Sequence, residues 1–139
     1  MKPSSAKAKG RRLQQALMAE VQGVLAEAGL TDPDHVRNRP MGSGGEDLIL
    51  SPTAREWFPF SPECKNTERL SFWATVEQAS RNCPPGAAPL LCVAKNRTTP
   101  YIAVPMGTFF KMLRLLARLL RDSPVEAPSI RYGLNELDS

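Results

Sequence analysis

Brief apolar runs set between longer stretches of helical periodicity constrain this chain more than any other feature. Leu48-Ile49-Leu50, Leu90-Leu91-Cys92-Val93-Ala94 and Tyr101-Ile102-Ala103-Val104 are too short for core helices and are bounded by turn-forming residues, which marks them as strands. The second and third flank a polar tip, Asn96 to Pro100, and so predict a hairpin. From Lys7 to Ala28 the residues Leu13, Leu17, Val21, Val24, Leu25 and Ala28 recur at helical spacing, and Gly29 supplies a stop. A second helix is predicted over Thr67 to Asn82, closed by Pro84-Pro85-Gly86, and a third over Met106 to Asp122. Trp57 to Lys65 reads as a proline-interrupted strand and His35 to Arg39 as a short edge strand. Ser51 to Glu56 reads as one helical turn opened by a serine cap and Pro52. Alternation of this kind predicts an α/β fold, with a mixed sheet flanked by helices and an extra C-terminal helix.

At 139 residues, 42% of them hydrophobic and 23% charged, the chain is expected to fold as a single domain over residues 1–139. Residues 1–8 are expected to form a flexible basic arm and residues 123–139 an irregular tail. No run approaches a membrane span, and the first residues lack the apolar core of a secretory signal, so a cytoplasmic protein without membrane partners is expected. Three cysteines without a C-x-x-C pair argue against a disulfide framework or structural zinc, and a lone His35 leaves little for a histidine-based site.

Charge is distributed unevenly. Lys2, Lys7, Lys9, Arg11 and Arg12 open the chain without an acid among them, while Glu46, Asp47, Glu56, Glu63 and Glu68 gather at its centre. The net charge of +4 suits a polyanion partner. Lys7, Lys9, Arg11 and Arg12 are candidate DNA-phosphate contacts, joined by Ser43 in the glycine-rich turn Gly42 to Gly45 and by Lys95 and Arg97 at the hairpin tip. That turn lacks the Gly-Lys-Ser/Thr ending of a P-loop, so a nucleotide cofactor is not expected. Trp57, Phe58 and Phe60 are read as core residues, with stacking on unpaired bases as the alternative.

The chemistry concentrates in Gly45-Glu46-Asp47-Leu48-Ile49 and Phe58-Pro59-Phe60-Ser61-Pro62-Glu63-Cys64-Lys65. Strand alternation puts Glu63 and Lys65 on one face, about 7 Å apart, with Cys64 on the other. If the strand of Asp47 lies alongside, two carboxylates converge. With the Cys64 backbone carbonyl they make a hard oxygen site suited to Mg2+ or Mn2+. Lys65 beside such an ion could orient an attacking hydroxide or stabilise a pentavalent phosphorane, and the reaction expected is phosphodiester hydrolysis.

With Lys9-Gly10-Arg11-Arg12-Leu13-Gln14 opening the first helix, Gly45-Glu46-Asp47-Leu48, Phe58-Pro59, Glu63-Cys64-Lys65-Asn66, and Trp73 with Gln78 on the next helix, the chain resembles the PD-(D/E)xK nuclease superfamily. More narrowly it resembles its phage and archaeal Holliday junction resolvase-like members, over roughly residues 7 to 105. The resemblance implies a restriction-endonuclease-like α-β-β-β-α-β core, Asp47 and Glu63 as metal ligands, Lys65 as catalytic lysine and Gln78 near the active site. It also implies branched DNA as substrate and a bacterial cell, with a phage gene, as the setting. Archaeal relatives carry a metal-assisting glutamate on the first helix where Gln14 stands here, so either fewer carboxylates complete the site or Glu20 reaches in.

On Met106 to Asp122, Lys111, Arg114, Arg118 and Arg121 form a basic stripe opposite Phe109, Leu113, Leu116 and Leu120. Met112, Leu115 and Leu119 widen the apolar arc. That excess makes this helix the candidate interface of a homodimer, whose two sites could nick a four-way junction symmetrically. The rival functions are a duplex nickase or restriction-type endonuclease, a non-catalytic DNA-binding module, and a membrane-surface or partner-binding role for the basic amphipathic helix.

Overall fold

The computed structural model describes residues 3–40, 42–124 and 129–137. The chain divides into two compact units, Met1–Val104 and Pro105–Ser139. Among the described residues no helix is long and apolar enough to cross a membrane.

The first unit opens with helix α1 (Pro3–Glu27). Leu13, Leu17, Val21 and Leu25, four apart, are its buried stripe, while Val24 stays exposed. Gly29, at φ +84°, ends it: its N–H bonds to the Ala26 carbonyl and that of Leu30 to the Leu25 carbonyl, a Schellman closure that needs the left-handed backbone. The flexible arm expected over residues 1–8 is corrected here. Residues 3–8 are already helical, with Pro3 at the helix start where its missing N–H costs nothing; residues 1 and 2 lie outside the described residues.

A single 3-10 turn then leads into β1 (Val36–Asn38), antiparallel to β2 (Leu48–Leu50), with Val36 opposite Leu50 and Asn38 opposite Leu48. Helix α2 (Pro52–Trp57) follows as its sequence predicts: the Ser51 hydroxyl accepts the Ala54 N–H at 3.0 Å, and Pro52 starts the helix. Strand β3 (Phe60–Asn66) pairs in parallel with β4 (Ala88–Ala94), and helix α3 (Phe72–Asn82) makes the crossover that parallel pairing demands. Antiparallel β5 (Tyr101–Ala103) completes a mixed three-stranded sheet in the order β3-β4-β5.

One backbone bond, from Asp47 N–H to the Pro62 carbonyl at 3.1 Å, links the approach to β2 with the free edge of β3. The strands then part, because Ser51 and Pro52 turn the chain into α2 after three residues. The α1 stripe packs with Val36, Leu48, Ala54, Phe60, Leu90 and Cys92 into one core. Phe58 and Phe60 join it edge to face at 5.3 Å, whereas Trp57 is 56% exposed, so the core role expected of Trp57 does not hold.

The second unit holds α4 (Met106–Arg121) and α5 (Ile130–Leu137). No residue of α4 is buried, and its apolar arc carries exposed Phe109, Phe110, Leu115, Leu116 and Leu119. The irregular tail expected over residues 123–139 is corrected by α5: Ile130 and Leu134, four apart, give a short amphipathic helix, and Gly133 N–H bonds to the Ser129 carbonyl. Residues 125–128 and 138–139 lie outside the described residues.

The Ser51 hydroxyl also meets His35 Nδ1 at 2.8 Å, tying the approach to β1 to the start of α2. Ser51→Ala should therefore cost about 1–2 kcal/mol. Both tryptophans, Trp57 and Trp73, lie in the first unit, so urea unfolding followed by their fluorescence measures it; an unchanged midpoint would refute the linkage.

Candidate active site

Asp47 is held at the free edge of β3 by two bonds to backbone two residues apart. Its N–H donates to the Pro62 carbonyl, and its carboxylate Oδ2 accepts the Cys64 N–H at 2.6 Å. The N–H and C=O of one extended residue point the same way, so the Cys64 carbonyl also faces the Asp47 side. Glu63 and Lys65 project together from β3 as alternation requires, with Lys65 Nζ 3.7 Å from Glu63 Oε1. Glu63 is 3% exposed, so the pair is no solvated surface ion pair. Glu46 turns away from Asp47: its carboxylate pairs with Arg55.

Electrostatics show that the three charges share one neighbourhood. Burial pushes the Asp47 carboxyl up, opposed first by the Cys64 N–H and then by Lys65, Gln14 and Arg39. Burial likewise raises Glu63, and the nearby Asp47 charge raises it further, against Lys65 and Asn82. Two acids therefore lie close enough to repel, and Lys65 is the cation that acts on both. Glu63 Oε2 is buried and has no hydrogen-bond partner. Cys64 turns its thiol toward Cys92, its register partner on β4; that hydrogen bond, with burial, pushes the Cys64 thiol up and keeps it protonated.

The other expected site residues divide. Glu20 does not reach the pair: it is exposed and lines an apolar groove with Leu17, Val24 and Ile102. Six residues beyond Gln14, it is rotated about 240° around the helix. The α1 residue that does reach in is buried Gln14, whose Nε2 donates to the Asp47 carbonyl at 3.2 Å. On α3, Gln78 is half-buried on the helix side that buries Thr75 and Ala79, but the amide that favours ionised Glu63 belongs to Asn82, one turn later. Sequence reasoning missed Asn82 and Arg39. The spacing of Asn82 from Gln78, i to i+4, was the available signal for the first.

The glycine-rich turn serves Arg39. Gly45 has φ +103°, and a Cβ there would meet the Arg39 guanidinium at 3.1 Å; that guanidinium donates to the Glu46 carbonyl. Ser43, expected as a phosphate donor, has its hydroxyl donating to the Pro40 carbonyl at 2.6 Å and closing its own turn. Lys7, Arg11, Arg12, Lys95 and Arg97 are exposed. Lys9 is not: it is 8% exposed, which removes it from any open DNA-binding surface.

Among the described residues no group of three or more His, Cys, Asp and Glu side chains gathers to hold a metal ion, so the acidic cluster is a pair. The donor set still fits a hard divalent cation. Two mutually repelling carboxylates, an orphaned Glu63 oxygen and an aligned Cys64 carbonyl are oxygen ligands of the kind such ions take. No family model, no curated protein and no solved structure matches the chain.

Folding raises both carboxyls above their ordinary values of 3.8 and 4.5. Protonation therefore favours the folded chain. This contribution is complete below those ordinary values and is lost as pH rises through the raised ones. Glu63→Gln removes one of the repelling charges. In EDTA at neutral pH it should raise stability by about 1 kcal/mol, a few degrees in Tm, with the gain closing as pH falls toward about 4. Calorimetry across that range checks this, and a lower Tm for the variant at neutral pH would contradict it.

Proposed function

We propose that this chain is a divalent-metal-dependent DNA endonuclease of the PD-(D/E)xK type, acting on branched DNA as a Holliday junction resolvase-like homodimer. The observation that carries the reading is Glu63 Oε2, buried and unpartnered beside an Asp47 carboxyl fixed to the Cys64 N–H, with Lys65 on the same face as Glu63. The order α1-β1-β2-β3-α3-β4 supports the restriction-endonuclease-like core, with α2 inserted between its second and third strands.

In this reading Asp47, Glu63 and the Cys64 carbonyl would hold Mg2+ or Mn2+. The ion would supply charge neutralisation at a phosphate oxygen and a lowered pKa for its water. The protein's own part is positional. The β3 backbone fixes Asp47, Asn82 favours the ionised form of Glu63, and Gln14 anchors the Asp47 main chain. Lys65, partly exposed beside Glu63, would steady an attacking hydroxide or the charge growing on a phosphorane. The exposed apolar arc of α4 supports pairing of two copies.

Purified protein in Mg2+ or Mn2+ should cut labelled four-way junctions faster than matched linear duplexes. Asp47→Asn, Glu63→Gln and Lys65→Ala should each lower the rate by about 100-fold or more while junction binding persists. Equal rates on both substrates would move the assignment to a duplex nickase or restriction-type enzyme. Absence of cleavage by the wild type, or full activity in Asp47→Asn, would end the nuclease reading and leave a DNA-binding module.

A further inference from the structure

The row of the sheet that carries Lys65 runs on to the far edge. Lys65 stands opposite Val93 on β4, and Val93 stands opposite Tyr101 on β5. Paired residues of neighbouring strands point to one face, so the Tyr101 side chain rises from the same face as Lys65 and Glu63. Two strand spacings, about 10 Å, separate it from Lys65. Ile102, the next residue of β5, points to the other face and lines the apolar groove beside α1.

Tyr101 is 71% exposed although it stands in a strand, and it lines a cavity of about 260 Å³ within the first unit. Val93 and Leu70, both half-buried, add apolar surface, while Thr67, Glu68 and Lys95 add polar groups. The cavity is framed by hydrogen-bonded backbone. Thr67 N–H donates to the Ala94 carbonyl at 3.0 Å, and the Glu68 carboxylate accepts the Asn96 N–H at 2.8 Å, which fixes the segment ahead of α3 to the end of β4 and the hairpin tip. At that tip the Thr98 hydroxyl accepts from Lys95 N–H at 3.0 Å and donates to the Lys95 carbonyl at 2.9 Å.

This lining selects its ligand. A phosphate is disfavoured, because Glu68 offsets the charge of Lys95 and Val93 and Leu70 offer it no donors. A drug-sized molecule is too large, since such ligands occupy about 300–1,000 Å³. A neutral planar ring fits: it stacks on Tyr101, covers Val93 and Leu70, and turns its polar edge to Glu68 and Thr67. Nucleobases are rings of this kind.

We propose that the cavity receives one unpaired nucleobase of a DNA strand, stacked on Tyr101, while Lys65 addresses a phosphate of the same strand. The choice of DNA rests on the nuclease reading; the cavity and its shared row with Lys65 do not. At about 3.4 Å of rise per nucleotide, 10 Å places the base within about three nucleotides of the phosphate at Lys65. In a linear duplex every base is paired and stacked, so filling the cavity there costs unpairing energy, whereas bases at a branch are more readily released. Tyr101 is thus a specificity-determining residue that favours branched over linear DNA.

The test is binding of labelled DNA to the full chain in EDTA, where cleavage plays no part. Tyr101→Thr removes the ring and keeps a strand-forming residue, Tyr101→Phe keeps the ring, and Ile102→Ala trims the opposite face of the same strand. Affinity for a four-way junction should fall about tenfold in Tyr101→Thr and hold in the other two. In a series of junctions that each lack one base near the branch but keep every phosphate, one position should weaken wild-type binding about tenfold and leave Tyr101→Thr binding unchanged. Equal affinity of wild type and Tyr101→Thr, a matching loss in Tyr101→Phe or Ile102→Ala, or the absence of any such position would overturn the base pocket. A protein that shows this binding pattern and cuts nothing in Mg2+ would support the pocket while ending the nuclease reading.

Discussion

The bond from the Cys64 N–H to the Asp47 carboxylate is the contact on which the site depends. Without it Asp47 would be one more acid behind a glycine turn, since the loop ahead of β2 joins the β3 edge through only one other described backbone bond. A carboxylate accepting a backbone N–H in a partly buried setting is charge-assisted and directional. It fixes the acid along the strand whose next side chains are Glu63 and Lys65. Register thus converts a gap of sixteen residues in sequence into proximity in space.

That proximity is unfavourable on its own terms. Burial raises both acids and the Asp47 charge raises Glu63 further, while Lys65 meets only part of the demand at a long ion-pair distance. The first unit thus holds a buried Glu63 beside a half-buried Asp47 with only part of their charge met. There the polypeptide has given up stability to keep charge out of water.

Local chemistry made part of this legible. The Ser51-Pro52 start of α2, the Gly29 stop and the alternation of Glu63, Cys64 and Lys65 are decided within a few residues, and each stands where its sequence places it. What depends on the rotation of one element against another was not legible. Asn82 rather than Gln78 serves Glu63 because the crossover helix sets its phase by packing Thr75 and Ala79. Gln14 rather than Glu20 faces Asp47 for the same reason on α1. Lys9 misled because a lysine is ordinarily solvated, whereas this one stands four residues before Leu13 on the stripe that α1 buries. Helix α5 was hidden by the prolines before it, which mark a break without excluding a new start.

The central claim is that Asp47 and Glu63 share one hard cation. Calorimetric titration of Mg2+ or Mn2+ into the protein, repeated from the ordinary carboxyl range up to neutral pH and in buffers of different ionisation enthalpy, tests it most directly. The account requires a saturable site that releases protons as the raised carboxyls ionise, with affinity lowered about tenfold or more in both Asp47→Asn and Glu63→Gln. Binding with no proton release, or with affinity unchanged in either variant, would contradict it.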